Sequence, residues 1–340
     1  MNKQIGFLFL IWFLAVSPAH SKDLVVVVKI SGSINPAVAE YVSHEISQAN
    51  TDQEALIVLY MDTPGGLDTS MRQIIKKIQG SQVPVASFVA PSGSRAASAG
   101  TFITIASHIA AMAPGTNIGA AHPVNLMGGG GEGGQAKTME QKVVNDAAAY
   151  IRSLAELRNR NAHWAELAVV KSVSISAEEA MRLNVIDLIA GDVKALVLAI
   201  DGREVQVASG SVTLKTGNLQ IVHHEMNPRQ RFLDLISNPN VAYILMMLGM
   251  VGLYFELSNP GLVLPGVIGA ISLILALYAM QTLPINYAGL LLILFGVILF
   301  IAEISIMSYG LLSVSGVISL FLGSTMLIDS EDPALQISRA

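Results

Sequence analysis

The sequence predicts an α/β domain of parallel β-α-β units joined to a polytopic α-helical membrane domain, and three observations predict it. The 340 residues are 52% hydrophobic and only 13% charged, against roughly 25% charged in an average soluble domain. Charge is also unevenly placed: between Leu235 and Ile328 only Glu256 and Glu303 are formally charged. Before that stretch, short β-branched runs alternate with segments of helical spacing, the pattern of parallel strands covered on both faces. The net charge of −5, without a basic stripe, argues against nucleic acid as a partner. The absence of cysteine excludes disulfide scaffolds, Cys-ligated zinc, iron–sulfur clusters and cysteine nucleophiles. No metal or cofactor is expected.

The elements follow in order. Lys3, the apolar run 5–16, Pro18 and the small-x-small triplet Ala19-His20-Ser21 read as a cleavable export signal over residues 1–21. The run is short for a membrane span. Residues 24–30 (LVVVVKI) suit a buried strand, and Val38, Tyr41, Val42 and Ile46 then keep helical spacing within 36–47. A second strand, 55–61, ends at Asp62-Thr63-Pro64-Gly65-Gly66, and Met71, Ile74, Ile75 and Ile78 mark the next helix. A third strand, 83–89, closes at Pro91-Ser92-Gly93-Ser94. Helices at 101–106, 138–157 and 177–183, a strand at 185–189 and a hairpin at 203–214 complete a domain spanning 22–225.

Residues 226–240 read as a linker that can lie on the membrane surface, with Arg229, Arg231 and Asp234 around Phe232, Leu233, Leu235 and Ile236. Four apolar stretches follow at 241–257, 262–280, 285–304 and 310–328, each about the length of a spanning helix. They form a four-helix membrane domain over 241–328, ahead of a polar tail at 329–340. Gly249, Gly252, Gly266, Gly269, Gly296, Gly316 and Gly323 permit close helix contacts. The loops hold almost no Lys or Arg, so the positive-inside rule does not orient the bundle.

Chemistry belongs at the carboxyl ends of the strands, where open α/β sheets bind ligands. Pro64-Gly65-Gly66 is a turn whose N–H groups can cradle an oxyanion or phosphate. In the stretch 92–100, Ser98 stands among alanines and a glycine at a helix start, with space for a substrate carbonyl. The Ala99 N–H can join that of Gly66 in facing an oxyanion. Read on spacing alone, the plainer role of Ser98 is only that of a helix N-cap. Two types of base are available to it. His108, His122 and His163 suggest a Ser-His-Asp hydrolase, although 96–100 is only a loose relative of a nucleophile elbow. The second type is lysine: after the glycine-rich 128–134, Thr138-x-x-Gln141 is a capping-box pattern that starts a helix at Thr138 and sets Lys142 in its first turn. There, burial against alanines and the helix dipole would lower the lysine pKa and let it accept a serine proton. A solvated helix lysine is the plainer reading of Lys142.

Taken together, 61–66, 93–100, 113–124 and 149–155, with Glu178-Glu179-Ala180 and Asn184-Val185-Ile186-Asp187, resemble the NfeD family of membrane-bound serine proteases encoded beside stomatin-like proteins. In the apolar half, 256–261 and 286–290 fit as well. The resemblance implies a Clp-protease/crotonase-like β-α superhelix in the soluble domain. It further implies Ser98 as nucleophile, Lys142 as general base with Lys137 as a second choice, and Gly66 and Ala99 as the oxyanion hole. Gly65, Gly119 and His122 are weaker candidates for substrate contact. Longer members continue into a small C-terminal OB-type domain that has no counterpart before Ala340.

The expected activity is an ATP-independent Ser-Lys endopeptidase, membrane-anchored with its protease domain outside the cytoplasm, cleaving hydrophobic segments of a stomatin-like partner. Membrane lipid and a homo-oligomer, dimer or larger, complete the expected partners. The alternatives are a non-proteolytic scaffold for stomatin-like proteins, a signal-peptide-peptidase-like protease, and a crotonase-like acyl-CoA enzyme. Export and the anchor argue against the last of these.

Overall fold

The computed structural model describes residues 24–123, 134–217, 219–259, 263–281, 287–305 and 310–326. The export signal at 1–21, the glycine-rich 128–133 and the tail at 329–340 lie outside them. In chain order the first elements are β1 (Leu24–Ser31), α1 (Pro36–Asp52), β2 (Leu56–Asp62), α2 (Asp68–Gln79), β3 (Val85–Val89), β4 (Arg95–Ala97) and α3 (Ala99–Ala106). Then come β5 (Ile109–Met112), β6 (Asn117–Gly119), α4 (Gly134–Leu157), α5 (Ala162–Val170), β7 (Ser174–Ser176), α6 (Ala177–Arg182) and β8 (Leu188–Ile189). The soluble part ends with α7 (Val193–Ala199), β9 (Glu204–Val207), β10 (Gly210–Thr213) and β11 (Gln220–His224). Helices α8 (Pro228–Ile236), α9 (Pro239–Ser258), α10 (Leu264–Gln281), α11 (Tyr287–Ser305) and α12 (Leu311–Met326) follow.

Six strands form one parallel sheet in the order β11-β1-β2-β3-β5-β8. The valine run of β1 shows why it is buried on both faces. Val26, Val28 and Ile30 pack with α1 and α2 through Tyr41, Val42, Ile74 and Ile78. Val25 and Val27 point the other way, toward Phe88, Leu196, Ile200 and Val205, because side chains alternate along a strand. α7 and the antiparallel β9–β10 hairpin cover that second face. Asn35 caps α1 by accepting from the Val38 N–H at 2.9 Å, ahead of Pro36 in the first turn.

A smaller sheet, β4-β6-β7, sits above the carboxyl end of β2, joined to it by the Thr63–Ala96 bridge. It sets the start of α3. The other end of α3 is fixed by the buried Arg160, whose Nη1 donates to the carbonyls of Ile105 at 2.6 Å and Ser107 at 2.8 Å. Its Nη2 reaches Asp187 Oδ2 at 2.6 Å. A cation at a helix C-terminus satisfies orphan carbonyls and complements the dipole.

Several features differ from the sequence reading: β4, β6, β7 and α7 have no counterpart in it. α4 begins at Gly134 rather than Thr138, β5 and α5 were not foreseen, and β11 adds a parallel edge strand beside β1. The segment read as a linker contains a helix, α8, with a capping box between Asn227 and Gln230. α8 docks on α1: Asn35 Nδ2 donates to Asp234 Oδ1 at 2.7 Å, and Arg229 pairs with Glu40 at 3.6 Å. Just before α8, the Tyr41 hydroxyl donates to the His224 carbonyl at 2.7 Å.

α9 with α10, and α11 with α12, form two helical hairpins. Their glycines allow backbone contact: a Cβ on Gly252 would lie 2.6 Å from the Pro265 carbonyl oxygen, and one on Gly323 would lie 2.8 Å from that of Gly289. Between the hairpins lies an apolar cavity of about 520 Å³ walled by Met247, Met250, Tyr254, Phe300 and Leu320. Glu303 accepts from the Gly310 and Ser313 N–H groups at 3.0 and 3.1 Å, so it caps α12 from the preceding helix. Among the described residues, one helix, α9, is long and apolar enough to cross a membrane. Outward-facing Leu248, Phe255, Ile274, Leu291, Phe295 and Phe321 leave this region apolar on its surface.

Candidate active site

β4 runs directly into Ser98, which has φ 51° and ψ −117°, a conformation rare for a side-chain-bearing residue. Such backbone strain amounts to roughly 1–3 kcal/mol and persists only where neighbours enforce it. Here they do. The Ser98 N–H donates to the Gly119 carbonyl at 3.1 Å, and the Ala97 N–H to that of Thr63 at 3.1 Å. The buried Thr101 hydroxyl bonds both the Ala96 and Gly119 carbonyls, at 2.9 and 2.8 Å. Ser98 stands at the N-cap position of α3, but its side chain makes no capping bond there. It faces a cleft of about 440 Å³ lined by Gly66, Asp68, Met71, Arg72, Ser98, Ala99, Phe102, Ala121, Pro123, Lys142, Val143, Asp146 and Ala147.

Gly66 and Ala99 line that cleft beside the serine. Ala99 is the first residue of α3, where the N–H has no partner within the helix. Gly66 is held by its neighbours: the Ile34 N–H donates to the Gly65 carbonyl at 2.7 Å, and the Leu67 N–H to the Ile34 carbonyl at 2.9 Å. The Gly66 N–H itself donates to no acceptor among the described residues. Glycine is required there, because φ is +154° and a Cβ would lie 2.3 Å from the Ile34 carbonyl oxygen.

Lys142 lines the same cleft but differs from the sequence expectation in two ways. Because α4 starts at Gly134, Lys142 sits in its third turn, beyond the part where the helix dipole acts strongly. It is also exposed rather than packed among alanines; the buried Ala147 and Ala148 come a turn later. Lys137 lies on the same helix, and its side chain is outside the described residues. None of the three candidate histidines lines the cleft. His108 is buried and accepts from the Val85 N–H at 3.1 Å; burial and then Arg158 and Arg160 lower its pKa to about 3. His122 Nδ1 lies 2.8 Å from the Val169 carbonyl oxygen, and His163 is exposed on α5. Gly65 and Gly119 shape the turns beneath Gly66 and Ser98 and do not line the cleft either.

Sequence reasoning missed the charged wall of the cleft. Arg72 Nε donates to both Asp68 oxygens at 3.1 and 2.9 Å, and its Nη2 to Asp146 Oδ2 at 2.6 Å. Burial alone would lower the Arg72 pKa, but these two carboxylates outweigh it and raise it. The Asp68–Arg72 spacing of four was the available signal.

Two family models match this chain: one described as NfeD1b, N-terminal domain, over residues 24–209, and one described as NfeD integral membrane domain, over residues 240–340. The chain is 36% identical over 329 residues to the membrane-bound protease PH1510 of Pyrococcus horikoshii, covering 96% of this chain and 74% of that one. It is 28% identical over 322 residues to the membrane protein NfeD1b of Bacillus subtilis, covering 89% and 68%. Among solved structures, it is similar to a lysine-to-alanine variant of the 1510-N membrane-bound stomatin-specific protease in complex with a substrate peptide. That match has a TM-score of 0.58 and 34% identity, and covers 64% of this chain and 98% of the other. A serine-to-alanine variant of the same protease gives a TM-score of 0.56 and 35% identity, covering 61% and 100%. Fold and matches together define a mixed α/β domain fused to a helical integral membrane domain. The chain belongs to the NfeD family.

Proposed function

We propose that the chain is a membrane-anchored, ATP-independent serine endopeptidase with a Ser98–Lys142 dyad. The observation that carries this reading is the strained Ser98, whose side chain makes no capping bond, in one cleft with Gly66, Ala99 and Lys142. A relative studied both as a serine-to-alanine variant and as a lysine-to-alanine variant with bound peptide supports the pairing.

Ser98 Oγ bonds to the scissile carbonyl carbon while its proton passes to the neutral Lys142 Nζ. The oxyanion that forms accepts from the Gly66 and Ala99 N–H groups, which stabilise it more than the ground-state carbonyl. The C–N bond then breaks and the leaving amine takes the proton from Lys142, which leaves an acyl ester on Ser98. Water attacks that ester, Lys142 accepts its proton and returns one to Ser98 Oγ, and the acid product leaves. A peptide lying in the cleft excludes water from the reacting groups.

Met71, Phe102, Val143 and Ala147 give the cleft apolar walls, which suits a hydrophobic segment of a membrane protein. The name of the stomatin-specific relative supports a stomatin-like protein as that partner. In this reading residues 22–225 are a Clp-protease/crotonase-like domain exported behind a signal at 1–21. Residues 226–240 form the interfacial connection, and 241–328 form a bundle of four spans. The assembly is a dimer or larger.

A fluorophosphonate probe and apolar membrane-protein peptides, applied to wild type and Ser98→Ala in parallel, test the activity. Labelling and cleavage that survive in Ser98→Ala refute Ser98 as the nucleophile, and a wild type that is neither labelled nor active favours the scaffold reading. An alkaline phosphatase fusion after Leu214 tests the orientation; an inactive fusion refutes export of the domain.

A further inference from the structure

Arg72 joins two walls of the cleft. It projects from α2, one turn after Asp68, and binds that carboxylate on its own helix. Across the cleft it donates to Asp146 at 2.6 Å, and its Cζ lies 4.4 Å from the centre of the Tyr150 ring. Asp146 and Tyr150 follow Lys142 on α4 at intervals of four, so the three residues share one helix face. The backbones of α2 and α4 otherwise scarcely approach each other. Tyr150 in turn stacks on Phe102 of α3, ring centres 6.0 Å apart. One guanidinium therefore connects α2 to the helix that carries Lys142, and through Tyr150 to the helix that follows Ser98.

Stability alone does not account for this arrangement. The Asp68 and Asp146 side chains are 63% and 68% exposed, and exposed ion pairs contribute about 1 kcal/mol or less. The geometry is more specific than that energy requires. A planar fork that pairs with two carboxylates and stacks on a ring fixes orientation in a way an ammonium does not.

We propose that Arg72 is a positioning residue for Lys142: it holds α4 where Lys142 faces Ser98, and it keeps the Asp146 carboxylate away from the Lys142 amine. The proposal rests on the Ser98–Lys142 reading of the site. The charged groups lining the cleft are Asp68 and Arg72 from α2 and Lys142 and Asp146 from α4; Ser98, Ala99 and Phe102, at and within α3, add none. Without Arg72, Asp146 is released one turn from Lys142 and pairs with its ammonium. A carboxylate at that distance favours the charged amine, so proton acceptance needs a higher pH.

The test is the rate at which a fluorophosphonate probe acylates the full chain in detergent, measured across pH. Arg72→Met is expected to slow acylation by about ten- to a hundredfold, the scale of a small misplacement of a catalytic group. It should also raise the pH midpoint by about one unit, the low end of a carboxylate's effect on a neighbouring charge. Arg72→Met/Asp146→Asn should restore the midpoint while acylation stays slow, and Arg72→Lys should rescue only part of the rate. Slower acylation with an unmoved midpoint, or an unchanged rate, overturns the proposal. If Arg72→Met does not fold, Asp146→Asn alone decides: slower acylation without a raised midpoint supports the proposal, and an unchanged rate overturns it. Ser98→Ala and Lys142→Ala run alongside. Labelling that survives in both refutes the dyad and the proposal together, whereas labelling lost in both leaves the Arg72 outcome to be judged separately.

Discussion

The Ser98 amide donates to the Gly119 carbonyl across 3.1 Å, tying the residue ahead of α3 to the end of β6. Gly119 can occupy that place only as glycine. Its φ is +137°, and a Cβ would lie 2.2 Å from the Val173 carbonyl oxygen.

Gly119→Ala should therefore push β6 away from Val173 and carry Ser98 out of alignment. Serine acylation should fall about a hundredfold, the scale of a 1 Å displacement, while far-UV circular dichroism stays native. Acylation within a fewfold of wild type would show that Ser98 does not depend on this bond.

Lys142→Ala should abolish cleavage and acylation. Lys142→Arg should be equally inactive, since a guanidinium does not give up its proton in a protein. Lys137→Ala and His122→Ala should keep most activity, because His122 is turned onto the Val169 carbonyl. Peptide cleavage by the four variants decides it, and activity lost in His122→Ala but kept in Lys142→Ala replaces the dyad with a histidine mechanism.

Gly66→Val should remove turnover by at least a hundredfold, the effect of losing one oxyanion donor. The close approach of Ile34 adds a second consequence, overpacking that lowers stability by about 1–3 kcal/mol. Denaturant melts alongside kinetics separate the two, and near-normal turnover in a folded Gly66→Val protein excludes Gly66 from the site.

His108 makes stability depend on pH. Its folded pKa of about 3, lowered by burial and then by Arg158 and Arg160, lies below the free value of about 6.5. Between those limits the unfolded chain binds more protons, so this contribution is complete above about pH 6.5 and declines as the pH falls toward 3. His108→Asn should flatten that slope in melting temperature against pH. An identical slope would assign the acid sensitivity to other groups.

β1 and β2 were legible because unbroken apolar runs suit strands covered on both faces. β5 (IAAM) was not, since its alanines carry little strand preference, and β11 (QIVHH) is short, half polar and defined by pairing with β1 from the far end of the domain. The surroundings of Ser98 stood out through their small residues. The setting of Lys142 was misread: a capping-box pattern at Thr138 lies inside a helix that starts at Gly134. The Arg72–Asp146 contact joins residues 74 apart, so no local spacing announces it.

The docking of α8 on α1 has a mechanical consequence. Only residues 225–227 separate β11 from α8, and only residues 237–238 separate α8 from α9. The parallel sheet is thus bolted to the helical region instead of swinging from a tether. With α9 in the bilayer, the proposed Ser98 site would stand at one fixed height above the lipid, like a blade set on a gauge. A long flexible leash would let the site sample a wide volume at low effective concentration. On the proposed function, this mounting would concentrate the site at a single depth, so a target would be selected by where along its length it leaves the membrane as well as by its side chains.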